Sequence, residues 1–400
     1  MNEYIIYIGT SQSGSPRDGI EAGKKLGYST ILFTNRRKFI RERELFTDVD
    51  EMYEVDLSHE EAIRRKISTL QQEGKKIACI ISFLDSYVLV AARLSNEFCG
   101  TEISLGPIGD CMDKLALRTK LIGKEYSSDF IKMKPPFSTE GVKAYSYPVV
   151  LKSPISNGSK DVLLIRNEEE LATGIKKLNR KKPPSLLVEE YLEGPQYLIE
   201  VVIKDCKPVI TVVVKQQITY HKRFIVTGYS VSPVHHYPVL VRKVGEIIND
   251  LGFVNGSCHL EMRLVKNRWK LIEVNPRISG GAMNKMIEEA YGLSIVEETL
   301  RVYLRTPHHS ERKWEKHIYT YYMTVNKTGK LLKVIGKNMA EEQEGIIEVY
   351  IKPRKGKTLR PPTSMGHRYG YVMASGESVQ ESERRAKDAS KDIQFYLESI

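Results

Sequence analysis

Two glutamates, Glu261 and Glu273, lie in a stretch whose pattern brings them face to face. Leu260, Met262 and Leu264 alternate with His259, Glu261 and Arg263, the period of a half-buried strand. The run Trp269 to Asn275 reads as its hairpin partner after Lys266-Asn267-Arg268. A three-residue turn over Lys266 to Arg268 pairs Val265 with Trp269. Glu261 then opposes Glu273, Leu260 opposes Val274, and Met262 opposes Ile272. Directly opposed residues point to the same side of a sheet. One face is therefore apolar, and the other carries two carboxylates with Asn275 two residues on.

Like charges directly opposed in a sheet are destabilising, so this face calls for compensation. Mg²⁺ supplies it well, because it takes oxygens from one or two carboxylates together with substrate phosphates. Glu261, Glu273 and Asn275 are accordingly the candidate metal ligands. The alternative is a solvated face whose carboxylates lean on Arg263 or Lys270. Just beyond the hairpin comes Arg277-Ile278-Ser279-Gly280-Gly281, a cation followed by a flexible glycine pair. A fixed positive group and approachable backbone N–H groups are what a reacting phosphoryl or acyl oxygen needs.

The run Glu261…Glu273-Val-Asn275-Pro-Arg277…Gly280-Gly281 resembles the metal-binding signature of the ATP-grasp superfamily, in particular its ADP-forming carboxylate–amine ligases. Other stretches extend the resemblance. Asp113-Lys114 with Arg118 following is similar to the start of the ATP-grasp module, which implies that Lys114 contacts ATP phosphate. Lys152 ends the apolar strand Tyr147-Pro-Val-Val-Leu-Lys152, and a buried ammonium needs a compensating anion. The small polar loop that follows, with Gly158 and Ser159, can form an anion-binding nest from successive backbone N–H groups. By resemblance, Lys152 is the phosphate lysine and this loop is the mobile phosphate cover, the alternative being an ordinary hairpin. Leu186 to Gln196 runs from an apolar strand into Glu189-Glu190-Tyr191-Leu192 and a Gly-Pro turn. It resembles the segment that grips adenine, and Gln196 stands where the family commonly has an acidic ribose contact, with Glu193 a candidate substitute.

These residues must be held by a scaffold, and the order of elements predicts one. Strands at Tyr4–Ile8, Thr30–Thr34 and Ile77–Ile81 alternate with helices, the last two over His59–Gln72 and about Ser86–Phe98. That alternation implies an open parallel α/β domain with helices on both faces. Its Gly/Ser-rich loop, Gly9 to Gly14, lacks both the GxGxxG spacing and a Walker lysine. The resemblance gives such a domain a part in binding the non-nucleotide substrate. Further on, Leu198–Lys204 and Val209–Lys215 form an antiparallel pair, and the polar run Gln216 to Tyr229 reads as a substrate-facing segment or a plain loop. A Met-containing helix after Gly281 ends at Gly292, and Ser294 with Glu297 forms a capping box for the next helix. The last hundred residues carry strands at Ile318–Val325, Leu331–Ile335 and Ile346–Tyr350, then a helix from Val379 to Leu397. The expected architecture is thus mixed α/β and α+β. It comprises a Rossmann-like N-terminal domain over 1–112, an ATP-grasp module over 113–310 with a mobile lid at about 125–190, and an α+β C-terminal domain over 311–400.

Composition bounds the function class. Hydrophobic content of 41% and charged content of 28% are ordinary for a soluble globular protein. The net charge of +11 raises the question of nucleic acid, but the basic clusters are short, scattered and not interleaved with aromatics, so solvated faces explain them better. Five cysteines without CxxC spacing argue against a disulfide framework and for a reducing cytoplasm. No apolar run is long enough to span a bilayer, and the chain opens on a strand rather than a secretion signal. The resemblance implies ATP with Mg²⁺ (Mn²⁺ as a substitute), and a small-molecule carboxylate and amine as substrates. L-Amino-acid ligases making dipeptides are the nearest type. Carboxylation of the biotin-carboxylase kind, an amino acid loaded onto a carrier protein, and a non-catalytic ATP- or nucleic-acid-binding protein are the alternatives. A homodimer is compatible with all of them.

Overall fold

A computed structural model describes residues 3–142, 146–155, 161–220 and 224–399, which form four sheets. The first contains β1 (Glu3–Ile8), β2 (Ser29–Thr34), β3 (Glu51–Glu54) and β4 (Lys76–Ile81), ordered β3-β2-β1-β4 and parallel throughout. Ile5, Ile6, Tyr7 and Ile8 are all buried, because helices cover both faces of a parallel sheet. The expected open α/β domain is therefore present. Strand β3 and the helix Leu105–Met112 were not anticipated; four residues reading Glu-Met-Tyr-Glu give no clear alternation.

A second sheet holds β5 (Phe130–Met133), β6 (Val149–Lys152), β7 (Val162–Ile165) and β8 (Leu186–Glu190) in the antiparallel order β5-β8-β6-β7. The helix Glu168–Asn179, capped by the Asn167 side chain, packs on it. Together they enclose a core of their own, around Val149, Leu151, Ile165, Leu171, Leu186 and Val188. This unit falls within the expected lid, and β6 and β7 precede and follow in sequence the stretch that carries Gly158 and Ser159.

The largest sheet joins β9 (Gln196–Lys204), β10 (Lys207–Tyr220), β11 (Phe224–Ser232), β12 (Gly256–Val265), β13 (Arg268–Asn275) and β14 (His317–Met323). A small sheet of β15 (Gly329–Ile335), β17 (Thr358–Leu359) and β19 (Gln394–Glu398) lies beyond, while β16 (Ile346–Ile351) and β18 (Gly370–Gly376) return to the large one. Its order is β13-β12-β9-β10-β11-β14-β18-β16. Two expectations change here. The polar run Gln216 to Tyr229 is strand rather than loop: β10 and β11 pair Gln216 with Tyr229 and Gln217 with Gly228. Gln216 and Tyr229 line the cavity described below, while Thr219 bonds to Thr227 and Gln217 accepts from Tyr319 across the sheet. The sheet also runs straight across residue 310, since β14 pairs with β11.

The last helix is shorter than expected. It spans Val379–Asp392, and Gln394 to Glu398 form β19 against β15. The helix buries only Ser382, Ala386 and Ala389. After Ile393 the pattern switches to period two, so that Phe395 and Leu397 pack toward Leu331 and Leu359.

The hairpin of β12 and β13 has the expected outcome by a different route. Glu261 pairs with Glu273 and Leu260 with Val274, as the alternation requires. The turn, however, contains two residues: Lys266 and Asn267 both have positive φ, 45° and 63°. That geometry matches the right-handed twist of the strands it joins. Val265 thus pairs with Arg268, and a bulge between Glu261 and Met262 takes up the extra residue, leaving Met262 opposite Leu271. The two offsets cancel at the carboxylates.

Candidate active site

The two facing carboxylates open onto a cavity of about 360 Å³. It is lined by Lys114, Lys152, Glu189, Glu190, Tyr191, Leu192, Gln196, Glu261, Glu273, Arg277, Gly280 and Gly281, which the sequence had singled out from five separate stretches. Asn275 is half-buried on the same strand face but does not line the cavity. Gly158 and Ser159 lie outside the described residues.

On the hairpin wall the two carboxylates face each other, with Lys114 and Arg263 near them. Lack of solvent, and then the charge of Glu273, push the Glu261 carboxyl above its usual range. Lys114 stands 3.6 Å from Glu273. It is buried in the first turn of the helix Lys114–Lys120, whose N-cap Asp113 accepts from the N–H groups of Leu115 and Ala116. Gln196 bridges the wall, donating to Glu261 at 3.0 Å and accepting from Arg263 at 3.0 Å. Its side chain therefore already serves the hairpin, while Glu193 is exposed. Among the described residues no three His, Cys, Asp or Glu side chains cluster to enclose a metal. Two carboxylates on rigid strands fit Mg²⁺ that is completed by substrate phosphates.

Across the cavity two cations share one carboxylate. Lys152 at the end of β6 and Glu189 in β8 pair at 2.7 Å, and Arg118 joins Glu189 from the helix Lys114–Lys120 at 2.8 Å. All three are buried. Burial would raise the Glu189 pKa, but Arg118 and then Lys152 outweigh it and hold the carboxyl at about 2. Burial likewise lowers the Lys152 pKa, and Glu189 opposes that. Arg118 also donates to the carbonyl of Ile272, the residue at the β13 bulge, at 2.7 Å. The sequence placed Arg118 in a motif without giving it this role. Its partner Glu189 is 71 residues away, so no local pattern could reveal the pair.

The glycine loop is fixed from three sides. Arg277 donates to both oxygens of Asp85, in the loop after β4, with Nη2 at 2.8 Å from Oδ2. His259 is buried, bonds to the Arg277 carbonyl at 3.0 Å, and is kept neutral, its pKa lowered to about 3 by burial and then by Arg277. The fully buried Glu200 on β9 accepts from the Ser279 backbone N–H at 3.2 Å and from the Ser279 hydroxyl. Burial raises the Glu200 pKa to about 7 against those hydrogen bonds. From the N-terminal domain, Ser15 donates to the Ser279 carbonyl. Gly14, at φ 75°, comes so close that a Cβ there would lie 3.0 Å from the Gly281 nitrogen. The Gly/Ser-rich loop after β1 thus abuts the candidate reaction centre. Asp85, Glu200 and His259 were all missed as site residues, because each acts through partners distant in sequence.

Comparisons with known proteins speak to the family and the fold. Residues 145–285 match the ATP-grasp domain, residues 20–98 the ATP-grasp N-terminal domain, and residues 321–398 the L-amino acid ligase C-terminal domain 2. The chain is an ATP-grasp protein. Its fold is similar to that of an L-amino acid ligase from Bacillus licheniformis, with a TM-score of 0.83, 17% identity, and coverage of 100% of this chain and 99% of that one. It is also similar to the biotin carboxylase domain of a Hydrogenobacter thermophilus 2-oxoglutarate carboxylase, solved with MgADP, ADP and bicarbonate, at a TM-score of 0.69, 16% identity, and coverage of 98% and 90%. In sequence it is 21% identical over 335 residues to an ATP-grasp enzyme of Aspergillus fumigatus, covering 71% of this chain and 57% of that protein. The chain spans between 39% and 57% of the length of the curated relatives it matches. In this ATP-grasp protein the core match contains the hairpin, the Lys152–Glu189 pair and the glycine loop. No helix among its described residues is long and apolar enough to cross a membrane, and its five cysteines are unpaired.

Proposed function

We propose that this ATP-grasp protein is an ADP-forming ligase that joins a carboxylate to an amine through an acyl phosphate. The observation that carries this reading is the convergence of Glu261, Glu273, Lys114, Lys152 and Arg277 on one cavity. Lys114 and Lys152 hold the phosphate chain of ATP, and the Glu190 to Leu192 segment takes the adenine. Mg²⁺ held by Glu261 and Glu273, with Asn275 beside them, would neutralise the terminal phosphates. A donor carboxylate oxygen attacks the γ-phosphorus: an O–P bond forms, the bond to the β–γ bridging oxygen breaks, and ADP leaves. The amine nitrogen then attacks the acyl carbon, the C–O bond to phosphate breaks, and the nitrogen gives its proton to water or the departing phosphate. Arg277, steadied by Asp85, and the N–H groups at Gly280 and Gly281 stabilise the oxyanion formed in that step. The enzyme needs no nucleophile of its own; it works by positioning and by charge placed where charge develops.

The test is chromatography of spent nucleotide after incubation with Mg²⁺ and pairs of amino acids. ADP and phosphate in a one-to-one ratio with amide are expected. AMP and pyrophosphate would refute the mechanism.

A further inference from the structure

Beside the first cavity lies a second, of about 480 Å³, which shares Gly281, Met365 and Arg368 with it. Arg368 is a half-buried cation at the junction. Its guanidinium carbon lies 3.9 Å from the ring centre of Tyr322 and 5.9 Å from that of Tyr229. It donates to the backbone carbonyls of Met365 and Val226 at 3.3 and 3.4 Å. Among the described residues no carboxylate forms an ion pair with it. Its neighbours differ: Arg17 pairs with Asp48, Lys285 with Glu348, and Arg277 with Asp85. Lys352, the other cation on this wall, is exposed and reaches the Gly366 carbonyl. The two acids present are occupied, Glu348 by Lys285 and the Tyr371 hydroxyl, Asp18 by Asn284.

A file of rings leads from the first cavity into the second. Tyr229 meets Tyr322 edge-on at 5.7 Å, Tyr322 meets Tyr371 at 5.6 Å, and Tyr371 stacks on Tyr350 at 5.3 Å. A guanidinium backed by aromatic rings is weakly hydrated and offers a planar fork that matches a carboxylate.

We propose that the second cavity binds the acceptor as an α-amino acid, with Arg368 taking its α-carboxylate and the tyrosine file packing against an apolar or aromatic side chain. This rests on the ligase reading above. The donor's carboxylate must react beside Lys152 and Arg277, whereas the acceptor's carboxylate stays idle and needs a cation of its own. Held at Arg368, the acceptor's amine lies toward Gly281, which borders both cavities.

The probes are L-phenylalanine and L-phenylalaninamide, titrated against the protein with Mg²⁺ and ADP while the unfolding midpoint is followed. The free acid is expected to raise the midpoint, and the amide to bind at least about tenfold more weakly, since a hydrogen bond to a charged group is lost. Arg368→Ala should weaken the free acid about 10- to 100-fold and erase the difference between acid and amide. Arg368→Lys, which keeps the charge without the fork, should restore part of it and covers the case in which the alanine variant does not fold. Equal binding of acid and amide, binding of neither, or an unchanged affinity in Arg368→Ala would overturn the assignment. ADP release over pairs of amino acids separates this from the ligase reading. Ligation with no acid-over-amide preference removes the Arg368 site alone. Arg368-dependent binding of the free acid without ADP release from any pair removes the ligase reading and leaves the carboxylate site standing.

Discussion

The two walls of the cavity solve the problem of buried charge in opposite ways. On one, Lys152 and Arg118 share the Glu189 carboxylate within hydrogen-bonding distance, which leaves one positive charge in excess. On the other, Glu261 and Glu273 face each other across a strand pair, with Lys114 as a partial offset at 3.6 Å. Breaking such a hydrogen-bonded set costs stability because the remaining charges stay buried and unpaired. Two facing carboxylates stay costly until a cation joins them. The contrast sets a carboxylate face against a cation-rich one across a single cavity.

That contrast can be broken at either wall, and the hairpin should respond most in activity. Glu273→Gln is expected to lower ADP release by on the order of 10³-fold, as removal of a charge-stabilising group in a reaction centre does. The same change should leave far-UV circular dichroism intact and slightly raise the midpoint of the unliganded protein, since it relieves a like-charge pair. It should also abolish the rise in midpoint that Mg²⁺ with ADP gives the wild type. Retained Mg²⁺-dependent turnover would remove the hairpin from the mechanism. At the opposite wall, Glu189→Ala should destabilise the protein by about 3–5 kcal/mol in urea unfolding, the cost of orphaning a buried partner. A loss below about 1 kcal/mol would mean that Lys152 and Arg118 find other anions.

Glu200 sharpens the comparison, because it is a buried carboxyl with hydrogen bonds but no ion pair. Its pKa rises from the ordinary 4.5 to about 7 in the folded chain. Between these values the folded state holds a proton that the unfolded state has released, so stability falls as pH rises through that window. The stabilising contribution is fully present below about 4.5 and lost by about 7. Glu200→Gln, which cannot ionise, should flatten the stability profile there and gain on the order of 2 kcal/mol relative to wild type at pH 8. Parallel profiles for the two proteins would show that the carboxyl is already ionised in the fold. The smallest effect is expected at Gln196→Glu. The hydrogen bond to Glu261 would be lost, but Arg263 is adjacent to offset the new charge, so nucleotide affinity should stay within about tenfold, the scale of one hydrogen bond. A large loss measured by calorimetry would give Gln196 a role that the hairpin contacts do not explain.

What the sequence revealed and what it concealed follow one physical division. Alternation along β12 and β13 announced the facing glutamates, and a cation ending an apolar strand marked Lys152, because these are local patterns. The capping box at Ser294 was legible for the same reason; its side chain accepts from Glu297 N–H. Asp85, Glu200 and Arg118 left no such trace. Each draws its meaning from a partner brought near only by the fold, as Asp85 does from Arg277 across 192 residues. The polar strands after Gln216 were obscured because Gln217, Thr219 and Thr227 find side-chain partners on neighbouring strands, which no local alternation announces. The final strand was lost to an over-extended helix, where a short switch from period 3.6 to period two went unread.

The two-residue turn and the bulge give the hairpin an unusual tolerance to changes in chain length. One extra residue inserted between Lys266 and Asn267 could be absorbed by a four-residue turn, with Met262 opposite Ile272 and no bulge. Glu261 would still meet Glu273. What such an insertion would disturb is the Ile272 carbonyl, which the bulged strand presents to Arg118. Along this ribbon, then, the opposition of the carboxylates is protected against a one-residue insertion in the turn, while the tie between the two walls is not. Among relatives, loop length here should vary together with the residue at the Arg118 position rather than with the glutamates.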